Sequence, residues 1–264
     1  MLKGALHAHS KYSDGELTLA EHRKICLARG FSFLCITDHA ECFNGESIVQ
    51  YVQDLQRHSD REFCFVPGLE YRCDRDMHIL GYGATRLAST TDPESIFRHI
   101  ASQGAISVIA HPKDTFFSWI EDFRTLPQGI EVWNSKYDGR YGPRPGTFAL
   151  LQRLRERSPE MHAFYGQDLH WRNQFRGLYV AVDCETPDPS AILATLRAGR
   201  YEGQKDDLRL PSSGALPEAT LTEFGEAHAR SRRLRRVIES GQRTLNRLGI
   251  RLPTSLKAQL RRIY

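Results

Sequence analysis

The chain has 264 residues, 40% hydrophobic and 26% charged, a composition typical of a globular protein with a substantial core. No apolar run approaches the roughly 20 residues of a membrane span, and the first residues lack the apolar centre of a signal peptide, so we expect a cytoplasmic protein. The net charge of +4 is unevenly spread, because residues 230–264 hold eleven Lys or Arg and one acidic residue, Glu239. We therefore expect a basic appendage on a mildly acidic body.

Short apolar runs alternate with amphipathic stretches through the first 200 or so residues. The runs, each typical of a buried strand, are in chain order "GALHAH", "FSFLCITDH", "FCFVPGLEY", "MHILGYG", "AISVIAHP", "GIEVWNS", "MHAFYGQDLH" and "GLYVAVDC". The stretches with helical periodicity are "LTLAEHRKICLARG", "ESIVQYVQDLQRH", "DPESIFRHIASQG", "PGTFALLQRLRER" and "DPSAILATLRAGR". Asp-Pro pairs and glycines mark several predicted helix starts and ends. This alternation predicts an α/β fold with a parallel sheet or closed barrel.

The C-terminal part of the chain has a different character. Residues 204–219 are polar and contain Gly and Pro, which predicts a linker or an ordered loop after a domain formed by residues 1–203. Residues 220–264 are predicted to form a basic amphipathic helical extension, with a second short helix after Pro253. Its apolar residues recur at helical spacing and are Leu234, Val237, Ile238, Leu245 and Leu248.

Residues that can bind metals cluster at the C-terminal ends of the apolar runs. They are His7, His9, Asp38, His39, Glu70, His111, Asp168 and His170. The carboxyl ends of parallel strands meet at one edge of an α/β barrel, where active sites are built. His78 is an exception, because it stands at the start of its run.

Burying so many ionisable side chains together is costly unless cations compensate them, which indicates a metal site. The six cysteines form no C-x-x-C pair, and several lie inside apolar runs, so a thiolate zinc site is not expected. A ligand set of imidazoles and carboxylates suits Zn, Mn or Fe in preference to Mg.

Seven short motifs, taken together and in this order, resemble the polymerase and histidinol phosphatase (PHP) superfamily over roughly residues 1–203. The motifs are "HAHSKYSDG", "ITDHAE", "PGLEY", "HILGYG", "IAHP", "GIEVWNS" and "GQDLH". The resemblance implies a distorted (β/α)7 barrel of the PHP type. It also implies two or three divalent metal ions per chain and activity on phosphoesters.

Carrying the family's ligands to matching positions gives a trinuclear metal centre. The resemblance implies a first ion held by His7, His9, Glu70 and Asp168. It implies a second ion that shares Glu70 and adds His78 and His111, and a third held by Asp14, His39 and His170. Asp38 is expected to orient His39 or a neighbouring ligand from outside the ligand set. The residues expected to be catalytic are His7, His9, Glu70, His111, Asp168 and His170.

The implied reaction is attack on phosphorus by a hydroxide that two metal ions bridge, while the ions offset charge on the phosphate oxygens. Cationic side chains that follow the strand ends are candidates for orienting the phosphate, although each is also a candidate for an ordinary solvated charge. They are Lys113, Lys136, Arg140, Arg172 and Arg176.

Three functions stay open at this stage. The first is a phosphomonoesterase acting on a small phosphorylated metabolite such as a nucleotide or sugar phosphate. The second is a phosphodiesterase or exonuclease that holds nucleic acid through residues 230–264. The third is a non-catalytic, metal-stabilised regulatory or binding module. Only 32 residues separate His78 from His111, which leaves no room for the inserted lid of nucleotide-acting relatives, so we expect an open cleft.

The basic extension also has less specific explanations. Its apolar stripe could pack on the barrel while the arginines pair with acidic residues or face water. Alternatively, the stripe could bind a second copy of the chain.

Overall fold

The computed structural model describes residues 1–138 and 142–247. All eight apolar runs form strands, and residues 201–211 add a further pair. The strands are β1 (Leu2–Ala8), β2 (Phe33–Cys35), β3 (Asp38–His39), β4 (Cys64–Val66), β5 (Gly68–Arg72), β6 (His78–Tyr82), β7 (Ile106–Ala110), β8 (Gly129–Asn134), β9 (His162–Leu169), β10 (Leu178–Val182), β11 (Tyr201–Lys205) and β12 (Leu208–Pro211). The helices are α1 (Leu19–Leu27), α2 (Gly45–Arg57), α3 (Pro93–Ala101), α4 (Phe117–Glu121), α5 (Pro145–Arg155), α6 (Pro189–Arg197) and α7 (Glu218–Arg247).

Helix boundaries follow the local signals in the sequence. Asp92 and Asp188 cap α3 and α6, and each carboxylate accepts a hydrogen bond from a backbone N–H three residues on, at 2.8 Å. The prolines that follow them occupy the first helical position, where no backbone N–H is needed. Gly104 and Gly199, which follow the same two helices, have φ of 67° and 66°. This left-handed conformation ends a helix with little strain only at glycine.

The strands form one mixed sheet whose pairings follow a ring. β1 pairs in parallel with β2 and with β9, and the pairing continues from β9 through β8, β7 and β6 to β5. Residues 33–39 and 64–72 each contain two short strands, with β2 paired to β4 and β3 to β5. These two segments complete a ring of seven strand segments. The predicted α/β fold is confirmed, and the ring matches the expected distorted barrel.

Strand β6 runs against both of its neighbours. It is antiparallel to β5 and to β7, with His78 opposite Arg72 on one side and Ala110 on the other. The N-terminal end of an antiparallel strand lies at the same edge as the C-terminal ends of its neighbours. This direction explains why His78, at the start of its run, lies at the edge where the other candidate ligands follow their strands.

The core lies inside the strand ring and between the strands and helices α2, α3, α5 and α6. Leu6 and His7 of β1 show the two environments, since both are fully buried but Leu6 belongs to the apolar core and His7 to the candidate ligands. Burial of one such aliphatic or aromatic side chain stabilises the fold by roughly 1.5–3 kcal/mol. The barrel can therefore hold a polar cluster at one edge against a large apolar interior.

The segment expected to be a linker or loop contains structure of its own. Residues 204–219 include the end of β11 and all of β12, which pair antiparallel with each other and extend the sheet beyond β10. A turn at Asp206, with φ of 52°, joins the two strands. The division of the chain at residues 203 and 219 stays a prediction.

Helix α7 contacts the barrel through its first turns. Phe224 is buried, with ring centroids 5.6 Å from Trp133 and 6.1 Å from Phe148. Further along, Leu234 is 39% exposed and Val237 is 68% exposed. The apolar stripe therefore does not pack on the barrel at these two positions, because residues nearer the start of the helix make the contact. Leu248 and the short helix expected after Pro253 lie outside the described residues.

The described helices include no segment with both the length and the apolarity of a membrane span.

Candidate metal centre

Nine side chains from six strands and the segments that follow them meet at one edge of the ring. They are His7, His9, Asp14, His39, Glu70, His78, His111, Asp168 and His170, the full set of predicted ligands. Most of them are buried, including His7 and His9 with no exposed surface, whereas the Asp14 side chain is 54% exposed. The structure thus brings together residues that are up to 163 positions apart in sequence, from His7 to His170.

Glu70 lies at the middle of this cluster. Its Oε2 is 3.1 Å from His9 Nε2 and 3.3 Å from His7 Nε2. Its Oε1 is 2.8 Å from His78 Nδ1 and 3.3 Å from His111 Nε2. The two carboxylate oxygens therefore face two different sets of imidazoles, which is the arrangement of a carboxylate able to bridge two cations.

Asp168 forms a second centre of contacts. Its Oδ1 lies 3.0 Å from both His170 Nδ1 and Lys136 Nζ, and 3.7 Å from His9 Nε2. Its Oδ2 is 3.7 Å from His111 Nε2. The lysine ammonium therefore stands among the candidate ligands, on the side of Asp168 and His170.

Asp14 approaches the cluster from the turn after β1. Its Oδ2 is 3.1 Å from His170 Nε2, and its Oδ1 is 3.6 Å from both His9 Nδ1 and His39 Nε2. The predicted third set, with Asp14, is therefore close together, and His9 joins it.

The donor atoms fall into four overlapping groups, each within 4.8 Å. One unites His9, Asp14, His39 and His170, and another unites His7, His9 and Asp168. Glu70 is shared by the remaining two, with His7 and His111 and with His39 and His78. Each predicted set corresponds to neighbouring atoms, although His7, His9, His39 and Glu70 each belong to two groups. The division into three ions stays a prediction.

The carboxylates of the cluster are held in their ionised form. Burial alone would raise the pKa of Glu70, but attraction to His7 and hydrogen bonds from His111, His7 and His78 hold that pKa well below its usual range. Burial likewise opposes ionisation of Asp168, and the charge of His7, a hydrogen bond from His170 and Lys136 lower its pKa. Two buried carboxylates thus stay negative at neutral pH.

The pKa values of the neighbouring imidazoles His7 and His9 are shifted in opposite directions. Burial lowers the pKa of His9 to about 4, despite a hydrogen bond to Glu70. Burial also disfavours the charged form of His7, but Glu131, Asp168 and Glu70 together raise its pKa well above the usual value. A neutral imidazole offers a lone pair to a metal, whereas His7 is drawn towards a cationic state by carboxylates that a metal ion would otherwise neutralise.

The residues fit divalent metal ions on two observations. The buried Nδ1 atoms of His9 and His39 have no hydrogen-bond partner among the residues that the structure describes. Buried polar atoms are rarely left without a partner, and a metal ion would satisfy such nitrogens. The donors are all imidazole nitrogens and carboxylate oxygens, the set preferred by Zn, Mn and Fe.

Three of the candidate ligands adopt a backbone conformation that is unfavourable for residues other than glycine. The φ angles are 61° for His7, 28° for His111 and 51° for Asp168. Such a conformation costs on the order of 1–3 kcal/mol and persists mainly at functional sites. The strain lies at the strand ends where these side chains turn into the cluster.

Glu131 is a functional residue that the sequence interpretation missed. It lies in β8 with its side chain fully buried, and its Oε1 accepts a hydrogen bond from His7 Nδ1 at 2.8 Å. Its Oε2 accepts from the backbone N–H of His111 at 2.9 Å and from Asn134 Nδ2 at 2.8 Å. Glu131 therefore orients His7 and fixes the backbone at His111. An acidic residue inside the apolar run "GIEVW" was the available signal.

Gly166 of β9 makes room for this carboxylate. A Cβ atom at position 166 would lie 1.6 Å from Glu131 Oε1 and 3.2 Å from His7 Cβ. Any larger residue at position 166 would displace the Glu131 carboxylate from its hydrogen bond with His7 Nδ1.

Asp38 supports the turn that carries Asp14. Its carboxylate accepts hydrogen bonds from the Ser10 backbone N–H and hydroxyl, both at 2.7 Å, and from the Ser13 hydroxyl at 2.5 Å. Asp38 is buried, and its contacts fix the loop between the His7–His9 pair and Asp14. The expectation that Asp38 orients His39 or a neighbouring ligand stays a prediction.

The five candidate phosphate-binding cations occupy different positions. Lys136 lies in the cluster, and Lys113 lies at the edge of an adjoining cavity, 3.6 Å from Asp76. The Arg172 guanidinium pairs with Glu21 at 2.7 Å, and the Arg176 guanidinium donates to the Ser135 carbonyl at 2.8 Å. Arg140 lies outside the described residues.

Comparison with known proteins supports the predicted resemblance. The model of the PHP domain family matches residues 5–102. A 40-residue stretch is 40% identical to the DNA polymerase/3'-5' exonuclease PolX of Bacillus subtilis (strain 168), covering 15% of this chain and 7% of that protein. The chain therefore spans a small part of the length of this relative. The resemblance to the PHP superfamily is confirmed, and the family match includes His7, His9, Asp14, His39, Glu70 and His78.

Two solved structures share the fold over most of the chain. A two-domain protein from Bacteroides vulgatus, described as containing a predicted PHP-like metal-dependent phosphoesterase, superposes with a TM-score of 0.56 at 17% identity. The superposition covers 86% of this chain and 69% of that one. PsfC from Pseudomonas syringae superposes with a TM-score of 0.55 at 13% identity, covering 88% and 98% of the two chains. At these identities the likeness concerns the fold alone.

Proposed function

We propose that this protein is a metal-dependent phosphoesterase and, more specifically, a phosphomonoesterase that acts on a small phosphorylated metabolite such as a nucleotide or sugar phosphate. The observation that carries the proposal is Glu70, whose two oxygens face separate sets of imidazoles in a buried cluster of nine metal-binding side chains. The confirmed resemblance to the PHP superfamily supports it.

The proposed ligands are the nine residues of the cluster, with two or three divalent ions, Zn, Mn or Fe. When bound, such ions lower the pKa of a coordinated water and offset negative charge on a phosphate group. Glu131 holds His7 in the orientation needed for a ligand, as partners behind metal-binding histidines usually do.

Lys136 is the protein cation best placed to act on a phosphate in the cluster. Its Nζ is 3.0 Å from Asp168 Oδ1 and within 3.4 Å of both ring nitrogens of His170. Burial would lower the pKa of Lys136, but the negative charge of Asp168 outweighs it and keeps the ammonium protonated. Lys136 thus supplies a fixed positive charge to the oxygens of a bound phosphate.

A second candidate function is hydrolysis of phosphodiesters in nucleic acid. Two observations favour it, the short similarity to an exonuclease-containing polymerase and the arginines of α7. A non-catalytic module is a weaker candidate, because all nine candidate ligands are present and close together.

Two chromogenic substrates separate these functions. Full-length protein loaded with Mn²⁺ or Zn²⁺ is expected to hydrolyse p-nitrophenyl phosphate with a higher kcat/KM than bis(p-nitrophenyl) phosphate. The variant Asp168→Ala, purified in the same way, controls for contaminating phosphatases. A preference for the diester would favour the second candidate, and equal rates in wild type and variant would refute both enzymatic functions.

A further inference from the structure

A cavity of about 630 Å³ adjoins the metal-binding cluster. His78 and His111 line one part of it, and Phe116 and Tyr137 contribute aromatic side chains. Its volume lies in the range typical of sites for small organic ligands. A molecule bound here would touch the cluster at its His78 and His111 side.

Helix α7 supplies another part of the wall. The side chains that line the cavity recur three or four residues apart and so share one helix face, namely His228, Ser231, Arg232, Arg235, Arg236 and Glu239. The His228 Nδ1 lies 2.9 Å from the Gly142 carbonyl oxygen, and Phe224 is buried in the core. Both contacts fix this face of the helix over the cavity.

The carboxylates on the barrel side of the cavity already have cationic partners. Asp76 pairs with Arg72 at 3.0 Å, while Asp114 and Asp138 both pair with Arg144 at 2.9 Å. Their negative charge is therefore largely balanced without the helix.

The arginines of α7 add positive charge to this wall. Within residues 1–138 and 142–247, no carboxylate lies within 4.0 Å of the Arg232 or Arg236 guanidinium. Arg235 reaches towards the Tyr137 carbonyl oxygen at 3.5 Å, and the Tyr137 ring packs 4.7 Å from that of His111. Tyr137 therefore contacts both the arginine face of α7 and the cluster of candidate ligands.

We propose that Arg232, Arg235 and Arg236 form an anion subsite that binds a phosphate group other than the one hydrolysed. The substrate class that fits is a small organic molecule with two phosphate groups, one at the cluster and one at α7. Guanidinium groups match phosphate oxygens in charge and geometry. This inference rests on the proposed phosphoesterase function and adds a determinant of its specificity.

A small molecule suits the cavity better than a nucleic acid strand. Glu239 lies one helical turn beyond Arg236 on the same face and ends the positive surface inside the cavity. A continuing polyanion would meet this carboxylate, whereas a molecule with a single second phosphate would not.

Binding to the metal-loaded full chain tests the subsite without relying on turnover. Isothermal titration would use phosphonate analogues, in which a methylene group replaces each ester oxygen so that no phosphate is released. It would compare the analogue of fructose 6-phosphate with that of fructose 1,6-bisphosphate, and the analogue of ribose 5-phosphate with that of ribose 1,5-bisphosphate. The wild type is expected to bind at least one bisphosphate about tenfold or more tightly than its monophosphate. The double variant Arg232→Ser/Arg236→Ser should lose that difference. Arg230→Ser/Arg233→Ser removes the same charge from the opposite face and should retain it.

Three outcomes would overturn the subsite: no preference for a bisphosphate in the wild type, a preference that survives in Arg232→Ser/Arg236→Ser, or an equal loss in both double variants. An eight-residue oligothymidylate serves as a further probe. If only its binding depends on Arg232 and Arg236, the ligand is nucleic acid and the small-molecule class is wrong. Hydrolysis of p-nitrophenyl phosphate by each variant reports separately on the proposed function, because that substrate carries one phosphate.

Discussion

Replacing Asp168 with alanine is expected to lower kcat by several orders of magnitude and to reduce the number of metal ions bound per chain. The carboxylate lies within 3.8 Å of imidazole nitrogens of four histidines and holds the Lys136 ammonium at 3.0 Å. Its removal takes away a proposed metal ligand and leaves the half-buried Lys136 without its counter-charge. Steady-state hydrolysis of p-nitrophenyl phosphate and elemental analysis of the same preparation measure the two effects.

Asp183→Ala is the matched control, because the Asp183 side chain is 72% exposed and lies 4.0 Å from its nearest cationic partner, Arg200. Its kcat and metal content should equal those of the wild type. Turnover by Asp168→Ala within a few-fold of wild type would show that Asp168 is not part of the active site.

Glu70→Gln is expected to have an effect of similar size through a different route. The substitution keeps the shape of the side chain but removes the negative charge that faces His7, His9, His78 and His111. An amide NH₂ would also point at ring nitrogens that need a cation or a hydrogen-bond acceptor. We expect the variant to lose the metal ions next to both oxygens of Glu70, and hence to show a fall in kcat of several orders of magnitude.

The comparison for this variant is Glu185→Gln, which changes an exposed glutamate outside the cluster. Circular dichroism distinguishes loss of metal from loss of fold, since the buried apolar core of the barrel does not depend on Glu70. A Glu70→Gln protein that binds the wild-type number of ions would contradict the proposed bridging role.

Sequence periodicity predicted the succession of strands and helices along the chain, because apolar runs and helical patterns alternate and caps mark their boundaries. Asp92 and Gly104, for instance, mark where α3 begins and where the chain turns after it. Candidate ligands could be recognised because strand ends share one edge of such a sheet. All nine ligands suggested by the family resemblance lie in the resulting cluster.

Features that depend on tertiary contacts were not predictable in the same way. The antiparallel direction of β6 depends on its pairing with β5 and β7. In the sequence, His78 was an exception to the placement of candidate ligands at the ends of runs, and the sequence alone did not explain it. Glu131 was not identified from the sequence, because a single glutamate in an apolar run does not reveal whether its side chain is buried. Its buried partners, His7 and Asn134, are brought to it only by the fold.

Helix α7 shows how a correct helical pattern can leave its orientation undetermined. The apolar stripe around Leu234 and Val237 suggested the face that would pack on the barrel. In the structure Phe224, near the start of the helix, packs on the barrel, and the arginine face lines the cavity. Which face of an amphipathic helix docks depends on the complementary surface, and that surface is assembled from distant parts of the chain.

The central claim is that the cluster around Glu70 binds catalytic divalent ions, and elemental analysis of the full-length protein before and after chelation tests it most directly. We expect two or three ions of Zn, Mn or Fe per chain. Their removal should abolish hydrolysis of p-nitrophenyl phosphate and lower Tm, because carboxylates and imidazoles would remain buried without their cations, and added metal should restore both. A protein purified without metal, whose Tm and hydrolysis do not change on chelation or on addition of metal, would contradict the claim.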